Sequence, residues 1–143
     1  MRDSSARYAE LVQLALNAQK WAYAPYSDYA VGAALLSTSG EIYDGVNVEN
    51  AVFPLTICAE RSAVVKAVSA GEREFEAIAV ATDNGGTPCG ACRQVLAEFG
   101  LDIAVIIVDR TGEITLETTV GALLPHTFTA NDLPIPEASE KKS

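Results

Sequence analysis

Phe75-Glu76-Ala77-Ile78-Ala79-Val80-Ala81 is apolar at every position but one, and Asp83-Asn84-Gly85-Gly86-Thr87-Pro88 breaks the run. A short apolar run bounded by turn residues reads as a strand buried on both faces. Downstream the pattern predicts a helix over 90–99, a strand over 101–108 and a turn at Asp109-Arg110-Thr111-Gly112. A short strand over 113–116 and a helical turn or two over 120–124 follow. Upstream, Ala59, Ala63, Val64, Ala67 and Val68 recur at helical spacing and Gly71 closes that helix. The stretch 47–57 has the Asn, Pro and Thr content of an irregular loop. Before it, 29–37 and 41–48 flank Thr38-Ser39-Gly40 as a hairpin, and Leu11, Leu14, Ala15, Ala18 and Ala22 mark a first helix that Pro25 stops.

The order α-β-β-α-β-α-β-β-α predicts an α/β fold of three layers, with a five-stranded mixed sheet and helices on both faces. Its strand–helix–strand crossovers call for parallel pairing of the central strands. At 143 residues the chain suits one domain, expected over 1–130, with 131–143 as a flexible C-terminal tail. An apolar fraction of 49% supports a real core. Ten Lys+Arg against 19 Asp+Glu give a net charge of −9, which repels nucleic acid and anionic lipid and favours a small-molecule partner. No stretch approaches the roughly 18 apolar residues of a membrane span. The three cysteines, an odd number without a secretory leader, argue against a disulfide scaffold and for a cytoplasmic protein.

Cys58-Ala59-Glu60 and Pro88-Cys89-Gly90-Ala91-Cys92 each fall at a predicted helix start, at the strand carboxyl ends where ligands collect in α/β sheets. Taken alone, the Cys-x-x-Cys pair is also compatible with a redox motif or with buried small hydrophobes. Three sulfurs from two helix N-termini suit Zn²⁺ with a fourth position open, the pattern of catalytic zinc, which makes a water acidic. Glu60, two residues after Cys58, is the candidate proton carrier. Arg61 and Arg93 are candidates to offset thiolate charge by hydrogen bonds to sulfur. Gly85-Gly86 lacks the Gly-Lys-Ser/Thr of a phosphate loop.

Asn47-Val48-Glu49-Asn50, Thr56-Ile57-Cys58-Ala59-Glu60-Arg61-Ser62-Ala63 and Pro88-Cys89-Gly90-Ala91-Cys92-Arg93-Gln94 together resemble the small homotetrameric cytidine deaminases, over about Tyr23 to Asp132. The resemblance implies hydrolytic deamination of cytidine and deoxycytidine in pyrimidine salvage. It makes Cys58, Cys89 and Cys92 the ligands of one Zn²⁺ per subunit and Glu60 the catalytic proton shuttle. By position it assigns Asn47 and Glu49 to the ribose hydroxyls, Tyr29 to the pyrimidine face and Ala59 to the substrate-binding set. Phe128 is assigned to a neighbouring subunit's site, so the expected assembly is a homotetramer with sites at subunit interfaces. Two aromatics depart from the family's usual pattern: Tyr29 stands where Phe is common, and Phe53 where Tyr is common. The 83–87 loop is short and rich in glycine. The rival readings are a deaminase of a modified nucleoside, such as an aminoacylnucleoside antibiotic, or of polynucleotide cytosine or adenine, and a non-catalytic zinc-stabilised interaction domain.

Overall fold

The computed structural model describes residues 4–134. Helix α1 (Ser4–Gln19) leads to the hairpin β1 (Gly32–Ser37) and β2 (Ile42–Val46), then to a 3-10 turn at Phe53–Leu55 and helix α2 (Ala59–Ser69). Strand β3 (Phe75–Ala81), helix α3 (Gly90–Ala97), strands β4 (Ala104–Val108) and β5 (Ile114–Thr119), and a short α4 (Val120–Leu123) complete the order. A second 3-10 turn, Ala130–Asp132, is closed by a capping box between Thr129 and Asp132. Most of the expected tail, 135–143, lies outside the described residues.

The five strands form one mixed sheet in the order β2-β1-β3-β4-β5. Only β3 and β4 pair in parallel; β1 pairs antiparallel with both β2 and β3, and β4 with β5. The expectation of parallel central strands therefore holds for one pair and is corrected for the other. The crossover through α2 carries the chain from β2 past its own hairpin partner, so β3 docks on the antiparallel β1.

Alternation along the strands builds two cores. Ala33, Leu35, Ile78, Val80, Val105 and Ile107 face α2 and α3, while Ala34, Leu36, Ala77, Ala79, Ala81, Ile106 and Val108 face α1. Four alanines on the α1 side leave a shallow surface, and the helix backbone settles close to it. Gly32 makes that approach possible: a Cβ there would lie 2.2 Å from the Ala15 carbonyl oxygen. With α1 on one face and α2, α3 and the short α4 on the other, the three-layer arrangement is the one the sequence predicts.

Several strand boundaries differ from the periodicity, β4 among them, which starts at Ala104 rather than 101; two of the differences have a visible reason. β1 starts at Gly32 rather than 29, because the backbone just before it is bonded by a side chain: Asn47 Oδ1 accepts from Val31 N at 3.0 Å and Asn47 Nδ2 donates to the Tyr29 carbonyl at 2.8 Å. β5 runs on to Thr119, paired with Ala104, although Glu117-Thr118-Thr119 reads as polar. An edge strand needs no apolar alternation on its open side.

Candidate active site

Helices α2 and α3 begin side by side near the carboxyl end of β3, each with a cysteine in extended backbone as its N-cap. Cys58 has φ −73° and ψ 155°, Cys89 φ −67° and ψ 167°. Neither N-cap side chain bonds its own helix, so the sulfurs are left for other partners while the positive helix ends face them. Cys92, fully buried in the first turn of α3, supplies the third sulfur. Cys89 Sγ lies 4.0 Å from Cys58 Sγ and 3.4 Å from Cys92 Sγ, and all three lie within 4.8 Å of one another. These separations are far beyond a disulfide bond, whose sulfurs sit about 2.05 Å apart. They bracket the spacing of about 3.8 Å between thiolates sharing a tetrahedral Zn²⁺ at about 2.3 Å. Among the described residues this is the one cluster of three or more potential metal ligands.

Crowding sets the protonation of Cys58 and Cys92. Hydrogen bonds from Cys92 and Arg61 hold the Cys58 thiol down at about 5, whereas Cys92, bonded to Cys58 and buried, is pushed strongly upward. Arg61 Nη2 reaches Cys58 Sγ at 3.5 Å and also donates to the Thr56 carbonyl at 3.3 Å. Arg93 does not reach sulfur. Its guanidinium donates to the carbonyls of Pro88 (2.8 Å) and Leu123 (2.7 Å) and to Thr87 Oγ1 (3.1 Å), which ties the loop before Cys89 to α4. Compensation of thiolate charge through a direct bond thus comes from Arg61, and Arg93 acts on the loop.

The cluster opens into a cavity of about 280 Å³, lined among others by Cys58, Ala59, Glu60 and Cys89. Glu60 is 5% exposed, and its burial pushes the carboxyl up to about 7, where it can both take and return a proton near neutrality. Tyr29, Asn47 and Glu49 line the same cavity. Asn47 is buried and bonded to the 29–31 backbone as described above. The Glu49 carboxylate accepts from Tyr26 N (3.0 Å), Ser27 N (3.1 Å) and the Ser27 hydroxyl, and these bonds, that to the Ser27 side chain foremost, hold its pKa below the usual range. Both polar groups are therefore pre-oriented by the segment that carries Tyr29. Phe128 is the one substrate-binding candidate that the fold does not bring to this cavity: its side chain is 57% exposed, and its carbonyl accepts from Gln94 Nε2 at 2.9 Å.

Ser27, Thr56, Thr82 and Thr87 also line the cavity and were not singled out from the sequence. For Thr82 and Thr87 a signal existed, since both follow the carboxyl end of β3, where such sheets place ligands.

Residues 5–109 match the family model described as "Cytidine and deoxycytidylate deaminase zinc-binding region". The chain belongs to the cytidine deaminase family. It is 49% identical to a cytidine deaminase of Sporosarcina psychrophila over 87% of this chain and 93% of that one. A cytidine deaminase of Halalkalibacterium halodurans is 48% identical over 86% of this chain and 95% of its own. The crystal structure of cytidine deaminase from Burkholderia pseudomallei superposes with a TM-score of 0.80 at 42% identity, covering 89% of this chain and all of that one. A blasticidin-S deaminase of Bacillus cereus stands further off, at 30% identity over 85% of this chain and 92% of its own. Membership in this zinc-binding, hydrolytic family agrees with the chemistry of the site. Three thiols at tetrahedral spacing, with a buried carboxyl in the same cavity, fit a zinc centre with one position free for a non-protein ligand.

Proposed function

We propose that the protein hydrolyses free cytidine and deoxycytidine to uridine and deoxyuridine, releasing ammonia, as an enzyme of pyrimidine salvage. The observation that carries the proposal is the shared cavity of Cys58, Cys89 and the buried Glu60. Cys58, Cys89 and Cys92 would hold one Zn²⁺, which supplies a Lewis acid that makes a water acidic near neutral pH. Glu60 takes a proton from the attacking water and gives it to ring nitrogen N3 as the water oxygen bonds to C4. It then takes the remaining proton from the hydroxyl now on C4 and delivers it to the exocyclic amine as the C4–N4 bond breaks, so that C4 ends as a carbonyl and ammonia departs. Arg61 draws negative charge from Cys58 and keeps the three thiolates from quenching the metal's acidity. Asn47 and Glu49 receive the ribose hydroxyls, Tyr29 covers the pyrimidine, and Ala59, at the start of α2, forms part of the wall.

The preference for a free pyrimidine nucleoside over an antibiotic nucleoside follows the identities, 49% and 48% against 30%. The net charge of −9 favours it over a polynucleotide. A homotetramer is part of the proposal. Tyr26 and Phe53 meet edge to face at 5.7 Å on the surface, and with the exposed Val52, Leu55 and Ile57 they form an apolar area at the mouth of the site that suits a subunit contact. The exposed Phe128 is then placed to enter a neighbour's cavity. We place the enzyme in the cytoplasm because its thiols must stay reduced; no helix among the described residues is long and apolar enough to cross a membrane. We keep 1–130 as the catalytic domain and 131–143 as an appended tail.

The test is a parallel assay of cytidine, deoxycytidine, blasticidin S and a cytosine oligonucleotide on the zinc-loaded protein. Turnover of the first two is expected. Turnover confined to the last two would overturn the proposal.

A further inference from the structure

The 82–88 loop joins β3 to α3 and delivers Cys89 to the site, and side chains from α1, β5 and the segment before β1 grip its middle. Gln19 Nε2 donates to Asp83 Oδ1 at 3.2 Å. Thr115 of β5 packs against Gly85, where φ is +75° and an added Cβ would come within 2.6 Å of the Thr115 hydroxyl. Tyr29 Oη donates to Asn84 Oδ1 at 2.8 Å. The same Asn84 oxygen accepts from Thr82 Oγ1 at 3.4 Å, and Thr82 Oγ1 in turn accepts from Gly86 N at 2.8 Å. Tyr29, Thr82 and Gly86 all line the cavity, so this chain of bonds is part of its wall.

Gly86 completes the arrangement by what it lacks. A Cβ at position 86 would lie 2.6 Å from Tyr29 Oη but 3.9 Å from Tyr29 Cζ. The hydroxyl, not the ring, excludes a side chain there. Gly86 is also not among the glycines with positive φ, so its backbone would accept alanine, and only space forbids it.

We propose that the Tyr29 hydroxyl is a positioning group that sets the wall formed by the 82–88 loop, and that it works as a matched pair with the absent side chain at Gly86. The aromatic face and the loop are locked to each other by one bond, so a change at either partner moves both sides of the cavity. This inference rests on the reading of the cavity as the nucleoside site.

The test is a double-mutant cycle on zinc-loaded wild type, Tyr29→Phe, Gly86→Ala and the double variant, read as KM and kcat for cytidine and as thermal-unfolding midpoints. Gly86→Ala alone is expected to raise KM about tenfold through the forced displacement of the phenol and loop. In the Tyr29→Phe background the same change should alter KM by less than about twofold, because the atom it collides with is gone. An equal fold-change in both backgrounds would overturn the pairing, since a merely flexible glycine would act additively. The midpoints need no substrate: if they are non-additive while wild type leaves cytidine untouched, the functional reading fails and the pair stands. Additive midpoints overturn the pair whatever turnover shows, and non-additive midpoints with additive KM values overturn the positioning role.

Discussion

Glu60 has two properties that seldom coincide: burial that lifts its carboxyl to about 7 and a place in the wall of a cavity that also holds two of the three thiols. A carboxylate kept there for helix stability alone would sit better in water, where its interaction with the helix N-terminus involves no desolvation. Glu60→Ala should therefore leave zinc content and fold intact while kcat for cytidine falls about 10²–10⁴-fold, the usual contribution of a positioned acid–base group. Metal analysis and circular dichroism on the sample used for the assay would check both halves. Unchanged turnover would remove Glu60 from the mechanism. At this scale the sequence was informative where chemistry requires a residue type at a fixed offset, as with Cys58, Glu60, Cys89 and Cys92. It was uninformative where a long side chain chooses among partners. Arg61 and Arg93 both follow a cysteine closely, yet one reaches sulfur and the other bonds two carbonyls and Thr87, a choice fixed by the course of the 82–88 loop and α4.

Among the secondary-structure elements, α1 rests on β1 closely enough to leave no room for a methyl group at Gly32. Gly32→Ala should lower stability by about 1–3 kcal/mol, the usual range for overpacking a filled interior, read as a lower denaturant midpoint at unchanged slope. At the far end of the sheet, Glu72 joins the β1–β2 hairpin to the connection after α2. Its carboxylate accepts from Ser37 (2.6 Å), Ser39 (2.7 Å) and Tyr43 (2.8 Å), and these hydroxyls, Ser37 foremost, hold its pKa below the usual carboxylate value. A carboxyl with a lowered folded-state pKa stabilises the fold fully above its unfolded value of 4.5, and that contribution is lost as pH falls through the folded value. The gap in thermal midpoint between wild type and Glu72→Gln should accordingly be present at pH 6 and shrink below pH 4.5; a gap independent of pH would contradict this role. Helices were readable from periodicity because one repeated contact, helix on sheet, selects their residues, and β3 from an apolar run broken only at Glu76, because helices cover both faces of the sheet there. β5 extends past its apolar pattern, since Glu117, Thr118 and Thr119 belong to an edge where backbone pairing with β4 does the selecting.

The assembled molecule brings together parts that are distant in sequence: Tyr29 before β1, Asn47 and Glu49 after β2, and the two cysteine-bearing helix starts, all around one opening. That convergence could be anticipated from the α/β order, because crossovers place helix starts at strand carboxyl ends. The antiparallel docking of β3 on β1 could not, since no residue pattern within either strand distinguishes the two directions once both are buried on both faces. Light scattering should give four times the chain mass for the active enzyme, with the apolar surface around Phe53 covered by a neighbour. An active monomer would contradict that arrangement and the place given to Phe128. The entire scheme depends on three thiols acting together on a single metal ion. Zinc content and cytidine turnover measured on one preparation, before and after chelation, test it most directly. The expected result is one zinc per chain, activity lost on chelation and restored by Zn²⁺ alone; full turnover from metal-free protein would contradict it.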